Sequence, residues 1–236
     1  MDISVFLGEL VGTLLLILLG NGVVANVILH KTKGNGSGWI VISTGWALAV
    51  AIPVFIFGSV TGAHFNPAVT ISLAVIGSFP WENVPMYIVA QLIGAFIGSL
   101  LVLICYYNHF EKTEDKEVKL AVFCTGPEIR NTKINLITEI VGTFVLVFAI
   151  LGIGQSPLAE GIQPIVVGMI VGAIGLCLGG PTGYAINPAR DLGPRLMHYL
   201  MPVPNKGDSD WGYAWIPIVG PIVGAIAGAL VYISIF

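Results

Sequence analysis

The 236-residue chain is 56% hydrophobic and only 10% charged, with a formal net charge of −3. A water-facing surface ordinarily requires about 25% charged residues, so this composition excludes an ordinary soluble domain. The small net charge gives no reason to expect nucleic acid as a partner.

Six apolar stretches approach the roughly 20 residues that a bilayer crossing needs. In chain order they are 5–29, 39–58, 84–107, 134–153, 161–178 and 211–235. The first is too long, and too poor in N-terminal positive charge, for a cleaved signal peptide. Residues 108–133 mix both charge signs and read as a solvated loop. Three cysteines (Cys105, Cys124, Cys177) have no metal spacing, and the first and last read as packing residues of apolar segments.

Two further apolar stretches, 66–79 and 187–200, are too short to cross. Each opens with the same tripeptide: Asn66-Pro67-Ala68 and Asn187-Pro188-Ala189. Asn is a good N-cap, and Pro fits the first helical turn, where its missing N–H is not needed. Glycine-containing pieces at 61–65 and 182–186 precede them and read as extended chain. A 12-residue helix covers roughly 18 Å, and six extended residues cover about 20 Å. Each segment can therefore enter to the bilayer midplane and return on the same side, as a re-entrant half-helix.

The chain also repeats. Glu9-Leu10-Val11-Gly12-Thr13 matches Glu139-Ile140-Val141-Gly142-Thr143, and Gln91-Leu92-Ile93-Gly94-Ala95 resembles Pro221-Ile222-Val223-Gly224-Ala225. Residues 1–107 and 134–236 thus form two repeats joined by 108–133, each with three crossings and one half-helix. Three is odd, so the repeats are inverted and the half-helices meet from opposite faces. Such an interface is where a transport pathway typically lies.

The chemistry concentrates there. Irregular backbone at membrane depth must be buried in protein or line a watery cavity. Carbonyls of Gly62, Ala63, His64 and of Gly183, Tyr184, Ala185 are candidate acceptors, and the Asn66 and Asn187 amides candidate donors. Two positive helix ends converge at the same point. That lining suits a solute that both donates and accepts hydrogen bonds, and it opposes cations. Arg190 is costly in a membrane segment and so a functional candidate, against the alternative of an interfacial Arg on lipid headgroups. Asp191 lies in a first helical turn, where the dipole favours an anion. Glu9 and Glu139, acidic within apolar helices, are expected to accept hydrogen bonds from backbone N–H groups of the two re-entrant loops. His64 reads as structural, without a metal role. Glycines at four-residue spacing, such as Gly220, Gly224 and Gly228, allow close helix approach.

With both Asn-Pro-Ala motifs, both Glu-bearing helices and Arg190, nearly the whole chain resembles the aquaporin family. The resemblance implies an all-α membrane protein of six transmembrane helices plus two re-entrant half-helices. It also implies a homotetramer in the cell membrane with one pore per subunit, no cofactor and no catalysis. Distance from the motifs places Trp46, Gly175 and Tyr184 with Arg190 at the family's constriction. Alone, Trp46 would read as a packing or interface-belt residue. Gly175, where strict water channels usually carry His, and Asp191 after Arg190 are similar to the glycerol-conducting branch. Tyr184 departs from the Phe often found there.

The expected function is a passive channel for glycerol, similar small neutral solutes and water that excludes ions and protons. A strict water channel is the nearest alternative. A coupled transporter or ion channel would need titratable groups along the path, and few approach it: Glu9, Glu139, Arg190, Asp191 and His64. No His-Glu-x-x-His or Gly-x-Ser-x-Gly pattern suggests an embedded enzyme. Two criteria for orientation are opposed, and the expectation follows the resemblance, because the third connection also carries five acidic residues and Arg190 belongs to the pore. All ten Lys and Arg residues fall in the first, third and fifth connections, which the positive-inside rule makes cytoplasmic. The resemblance places those connections outside.

Overall fold

The computed structural model describes residues 3–155, 157–159 and 161–236. Lipid offers no hydrogen bonds, so a spanning chain must satisfy its backbone internally. Among the described residues every regular element is helical. They are α1 (Ile3–Ile28), α2 (Trp39–Thr61), α3 (Pro67–Val75), α4 (Val84–Cys105), α5 (Tyr107–Lys112), α6 (Lys116–Phe123), α7 (Thr132–Gly154), α8 (Gln163–Leu178), α9 (Pro188–Leu200) and α10 (Ile216–Ile235). A 3₁₀ turn, Trp81–Asn83, leads into α4.

Helices α1, α2, α4, α7 and α10 are long and apolar enough to cross a membrane. The expected fifth crossing is shorter: α8 has 16 residues, about 24 Å of helix. It starts where Pro164 suits a first turn and ends at Gly179-Gly180-Pro181. The last crossing begins five residues later than expected, with Pro217 in its first turn and Trp211–Trp215 in turns before it.

The first half-helix is also shorter than 66–79. It stops at Val75 because Gly77 takes a left-handed φ of 73°. Ser78 N–H then bonds Leu73 O at 2.9 Å and Gly77 N–H bonds Ala74 O at 3.1 Å. That is the paired closure by which a glycine ends a helix. The second half-helix, α9, fills its expected range.

Close backbone approach fixes the helix pairs. A Cβ on Gly94 of α4 would meet Leu10 O of α1 at 2.2 Å, and one on Gly224 of α10 would meet Ile140 O of α7 at 2.2 Å. Gly98 against Leu14 O (2.5 Å) and Gly228 against Phe144 O (2.7 Å) continue both seams. These contacts recur at the sequence offset that relates Glu9 to Glu139. Small residues permit such dispersion contacts where lipid supplies no hydrophobic drive.

Residues 108–133 are not simply a solvated loop, which corrects the sequence reading. Asp115 caps α6 by accepting from Glu117 N at 2.8 Å and Val118 N at 3.2 Å. Phe110, Val122, Phe123 and Cys124 are buried in a second core with Ala25, Leu29, Val102, Leu103, Met197 and Val203. Even Lys119 is buried, its Nζ donating to Pro204 O at 2.7 Å. The cysteine reading is reversed too: Cys124 is buried, whereas Cys105 and Cys177 lie exposed on helix surfaces.

Between α2 and α3, and between α8 and α9, the chain runs irregularly. It carries left-handed backbone at Gly62, Ala63 and Phe65, and again at Gly183, Tyr184 and Ile186. For non-glycine residues this costs about 1–3 kcal/mol each, so something must hold it. Two buried carboxylates do. Glu9 accepts from Thr61 Oγ1 (2.8 Å), His64 N (3.0 Å), Phe65 N (2.9 Å) and Gln91 Nε2 (2.7 Å). Glu139 accepts from Thr182 Oγ1 (2.7 Å), Ala185 N (3.0 Å) and Ile186 N (2.9 Å). The second repeat has Pro221 where the first has Gln91, and among the described residues Glu139 holds its loop with three donors.

Two outcomes are expected. Gly94→Ala or Gly224→Ala should force a helix pair apart and destabilise the protein by about 1–3 kcal/mol. Gly22→Ala, with open space around its Cβ, should be silent in the same detergent melting assay. Glu139→Ala orphans two backbone donors at about 1–3 kcal/mol each. It should therefore reduce the yield of folded protein more than it alters solute preference per folded channel. A variant that melts normally yet changes preference would contradict this role.

Candidate functional site

The half-helices α3 and α9 meet inside the helix cage, and each Asn serves both. Asn66 Oδ1 accepts from Ala68 N at 2.9 Å, and its Nδ2 donates to Ile186 O at 2.8 Å. Asn187 Oδ1 accepts from Ala189 N (2.9 Å) and Arg190 N (3.2 Å), and its Nδ2 donates to Phe65 O at 2.8 Å. Each side chain thus caps its own helix and clasps the opposite loop. An amide nitrogen carries two hydrogens. One per Asn goes to that carbonyl; among the described residues no acceptor takes the other. Pro67 and Pro188 follow as first helical residues, with Ala68 and Ala189 fully buried.

A cavity of about 150 Å³ runs past this junction. Its polar lining residues include Asn66, Asn187, Arg190, Tyr184, Gln163 and His64. Its apolar lining includes Trp46, Val50, Leu73, Ile150, Val167 and Val171. Of the six expected carbonyl residues, Gly62, Ala63, His64, Tyr184 and Ala185 line it, together with Phe65 and Ile186. Gly183 does not; it packs against Thr125. The His64 ring is turned to structure: Nδ1 lies 3.1 Å from Thr70 Oγ1, and Phe79 and Tyr87 flank it at 4.8 Å.

At the end of the cavity towards the cationic connections, Arg190 is 6% exposed and lies over the Trp46 indole, 4.2 Å from the ring centroid. Its Nη1 donates to Phe123 O at 3.0 Å and to Asn21 Oδ1 at 3.4 Å. The connecting segment and α1 therefore both reach Arg190, and neither residue is marked by a motif. The repeat-equivalent of Arg190 is Val69, so a fixed positive side chain occurs at one end only.

Gly175 does not line the cavity. A Cβ there would meet Tyr184 Cζ at 2.7 Å and its hydroxyl at 2.8 Å. The missing side chain makes room for the Tyr184 phenol, which also lies against Gly179. Trp39, unmarked in the sequence, locks this corner: its Nε1 donates to Gly175 O at 2.9 Å, and its ring meets Tyr184 edge-on at 5.8 Å.

Asp191 points away from the cavity into a buried pair with Arg195, whose Nε donates to Oδ1 at 2.7 Å. Asp191 Oδ2 also accepts from Thr125 N (2.8 Å) and Thr125 Oγ1 (2.7 Å). Arg195 goes on to donate to the carbonyls of Thr125, Ser209 and Asp210. One ion pair thereby ties two connections to α9. Only the i,i+4 Asp–Arg spacing signals it in sequence.

The sequence matches the family described as Major intrinsic protein over residues 2–232. It is 59% identical over 233 residues to a probable glycerol uptake facilitator protein of Thermotoga maritima, covering 99% of this chain and all of that one. It is 51% identical over 233 residues to the glycerol uptake facilitator protein of Bacillus subtilis, covering 99% and 85%. The aquaglyceroporin structure from Plasmodium falciparum superimposes with a TM-score of 0.87 at 31% identity, covering 98% and 95%. With the same cage of helices and its paired half-helices, this chain belongs to the major intrinsic protein family and has the aquaporin fold.

Proposed function

We propose that this chain is a passive channel of the cell membrane for glycerol, similar small neutral solutes and water. One observation carries the reading: a buried guanidinium lies against the Trp46 indole in the lining of a cavity that continues past two Asn amides. Glycerol has an alkyl edge and a row of hydroxyls. Trp46 and Tyr184 suit the first, and Arg190 donors the second. A solute that sheds its hydration needs such replacements, since unmade hydrogen bonds raise its energy in the bore. Loop carbonyls and the spare Asn66 and Asn187 hydrogens continue the exchange at midplane. Ions receive no comparable compensation. The N-terminal ends of α3 and α9 also place positive potential where a cation would lose its water, a device common to channels of aquaporin type. The relatives that are glycerol uptake facilitators support the same solute class.

The two repeats, 1–107 and 134–236, then act as one unit, each supplying a half-helix, with Glu9, Glu139 and Asp191 as supports. A homotetramer with one such path per subunit is part of this reading, and it follows from the resemblance alone.

A strict water channel is the competing reading. The Tyr184 phenol over Gly175 favours it, because that phenol fills the space a missing side chain would leave. Glycerol and water permeabilities of wild type and Gly175→His in proteoliposomes separate the two. Imidazole at 175 must push the phenol into the bore, and the glycerol-to-water ratio should fall by about tenfold or more, a barrier change near 1.4 kcal/mol. Wild type that passes water and excludes glycerol would overturn the glycerol assignment.

A further inference from the structure

The five N–H donors of Arg190 are not equivalent. Both Nη1 hydrogens are engaged by the protein, one at Phe123 O (3.0 Å) and one at Asn21 Oδ1 (3.4 Å). Among the described residues no protein acceptor reaches Nε or Nη2, and neither is a buried orphan atom. With Arg190 lining the cavity, these donors form its free edge. An edge of adjacent, parallel N–H groups is the part of a guanidinium that grips two neighbouring oxygens at once.

Asn21 is an unlikely residue for its place on packing grounds. It sits inside apolar α1, fully buried, and its Nδ2 has no hydrogen-bond partner. An orphaned donor costs free energy that an isosteric Leu would not. Its one side-chain partner among the described residues is Arg190. The preceding residue, Gly20, receives the Trp46 ring so closely that a Cβ there would lie 2.3 Å from Trp46 Cζ3. One turn of α1 therefore backs both walls of the constriction. The repeat adds an independent observation. The positions equivalent to Asn21 and Arg190 are Leu151 and Val69, so both polar residues fall at one end of the path and apolar ones stand at both matching positions.

We propose that Asn21 is a positioning residue for selectivity: its amide oxygen holds Nη1 of Arg190 against the wall, so that Nε and Nη2 face the hydroxyls of the solute. This rests on the channel reading above. Without that acceptor, one Nη1 hydrogen is unpaired and the guanidinium turns inward to recover a partner. The free edge is lost and the bore narrows, which burdens a polyol more than water.

The test is the glycerol and water permeability per folded channel of wild type, Asn21→Leu and Asn21→Asp, each also made in an Arg190→Ala background. Asn21→Leu should lower the glycerol-to-water ratio about fivefold, with a smaller fall in water permeability, as loss of one such contact implies. Asn21→Asp keeps an acceptor at Nη1, though its carboxylate offsets the Arg190 charge, so its ratio should fall less than that of Asn21→Leu. Without Arg190, Asn21→Leu should leave the ratio unchanged, the mark of action through that side chain. An unchanged ratio in Asn21→Leu, or an equal shift with Arg190 absent, would overturn the proposal. Should Asn21→Leu not fold, Asn21→Ala in both backgrounds gives the same comparison. If wild type passes water but no glycerol, the glycerol assignment fails by itself. The proposal is then read from water: Asn21→Leu must slow it only where Arg190 is present.

Discussion

Everything in the pathway depends on backbone held where backbone is least tolerated. Two chain segments leave helical geometry inside the membrane, each with two non-glycine residues in left-handed conformation. A bilayer supplies no water to satisfy their N–H groups. Glu9 and Glu139 supply the acceptors instead, each taking two loop N–H groups and a Thr hydroxyl. With those donors satisfied from behind, the loops can line the cavity and the half-helices can start at midplane. The Asn clasp closes the arrangement, since each Asn donates to the carbonyl of the other repeat's loop.

The two ends of the path then differ through side chains alone. Val69 and Arg190 occupy equivalent helical positions, so a symmetric scaffold carries an asymmetric lining. Holding a buried Arg without cancelling its charge requires neutral acceptors. Phe123 O and Asn21 Oδ1 fill that role, while the neighbouring carboxylate, Asp191, is spent on Arg195. The result is a guanidinium that is anchored yet still has donors to offer.

Much of this was legible in the sequence because the signals are local or repeated. An Asn followed by Pro marks a helix start whatever surrounds it, and its recurrence marked the meeting point. Glu9 and Glu139 stood out as charges in apolar helices related by the repeat. Other parts were hidden for physical reasons. The carbonyl of Phe123 leaves no trace in residue identity, so the link from the connecting segment to Arg190 could not be read. The charged residues around it, Lys119 among them, masked the buried face of Phe110, Val122 and Phe123. The Tyr184 phenol against Gly175 could not be read either, because only the fold brings Tyr184 across to that position. Gly77 was visible, but its left-handed turn, and so the early end of the first half-helix, was not.

The most direct test of the account is simultaneous measurement of glycerol entry and proton leak in liposomes containing the purified protein. Glycerol-driven swelling should be much faster than in empty liposomes, with a proton leak no greater than theirs. Swelling no faster than in empty liposomes, or a proton flux that rises together with it, would contradict a path built to exchange hydrogen bonds with neutral solutes and turn charge away.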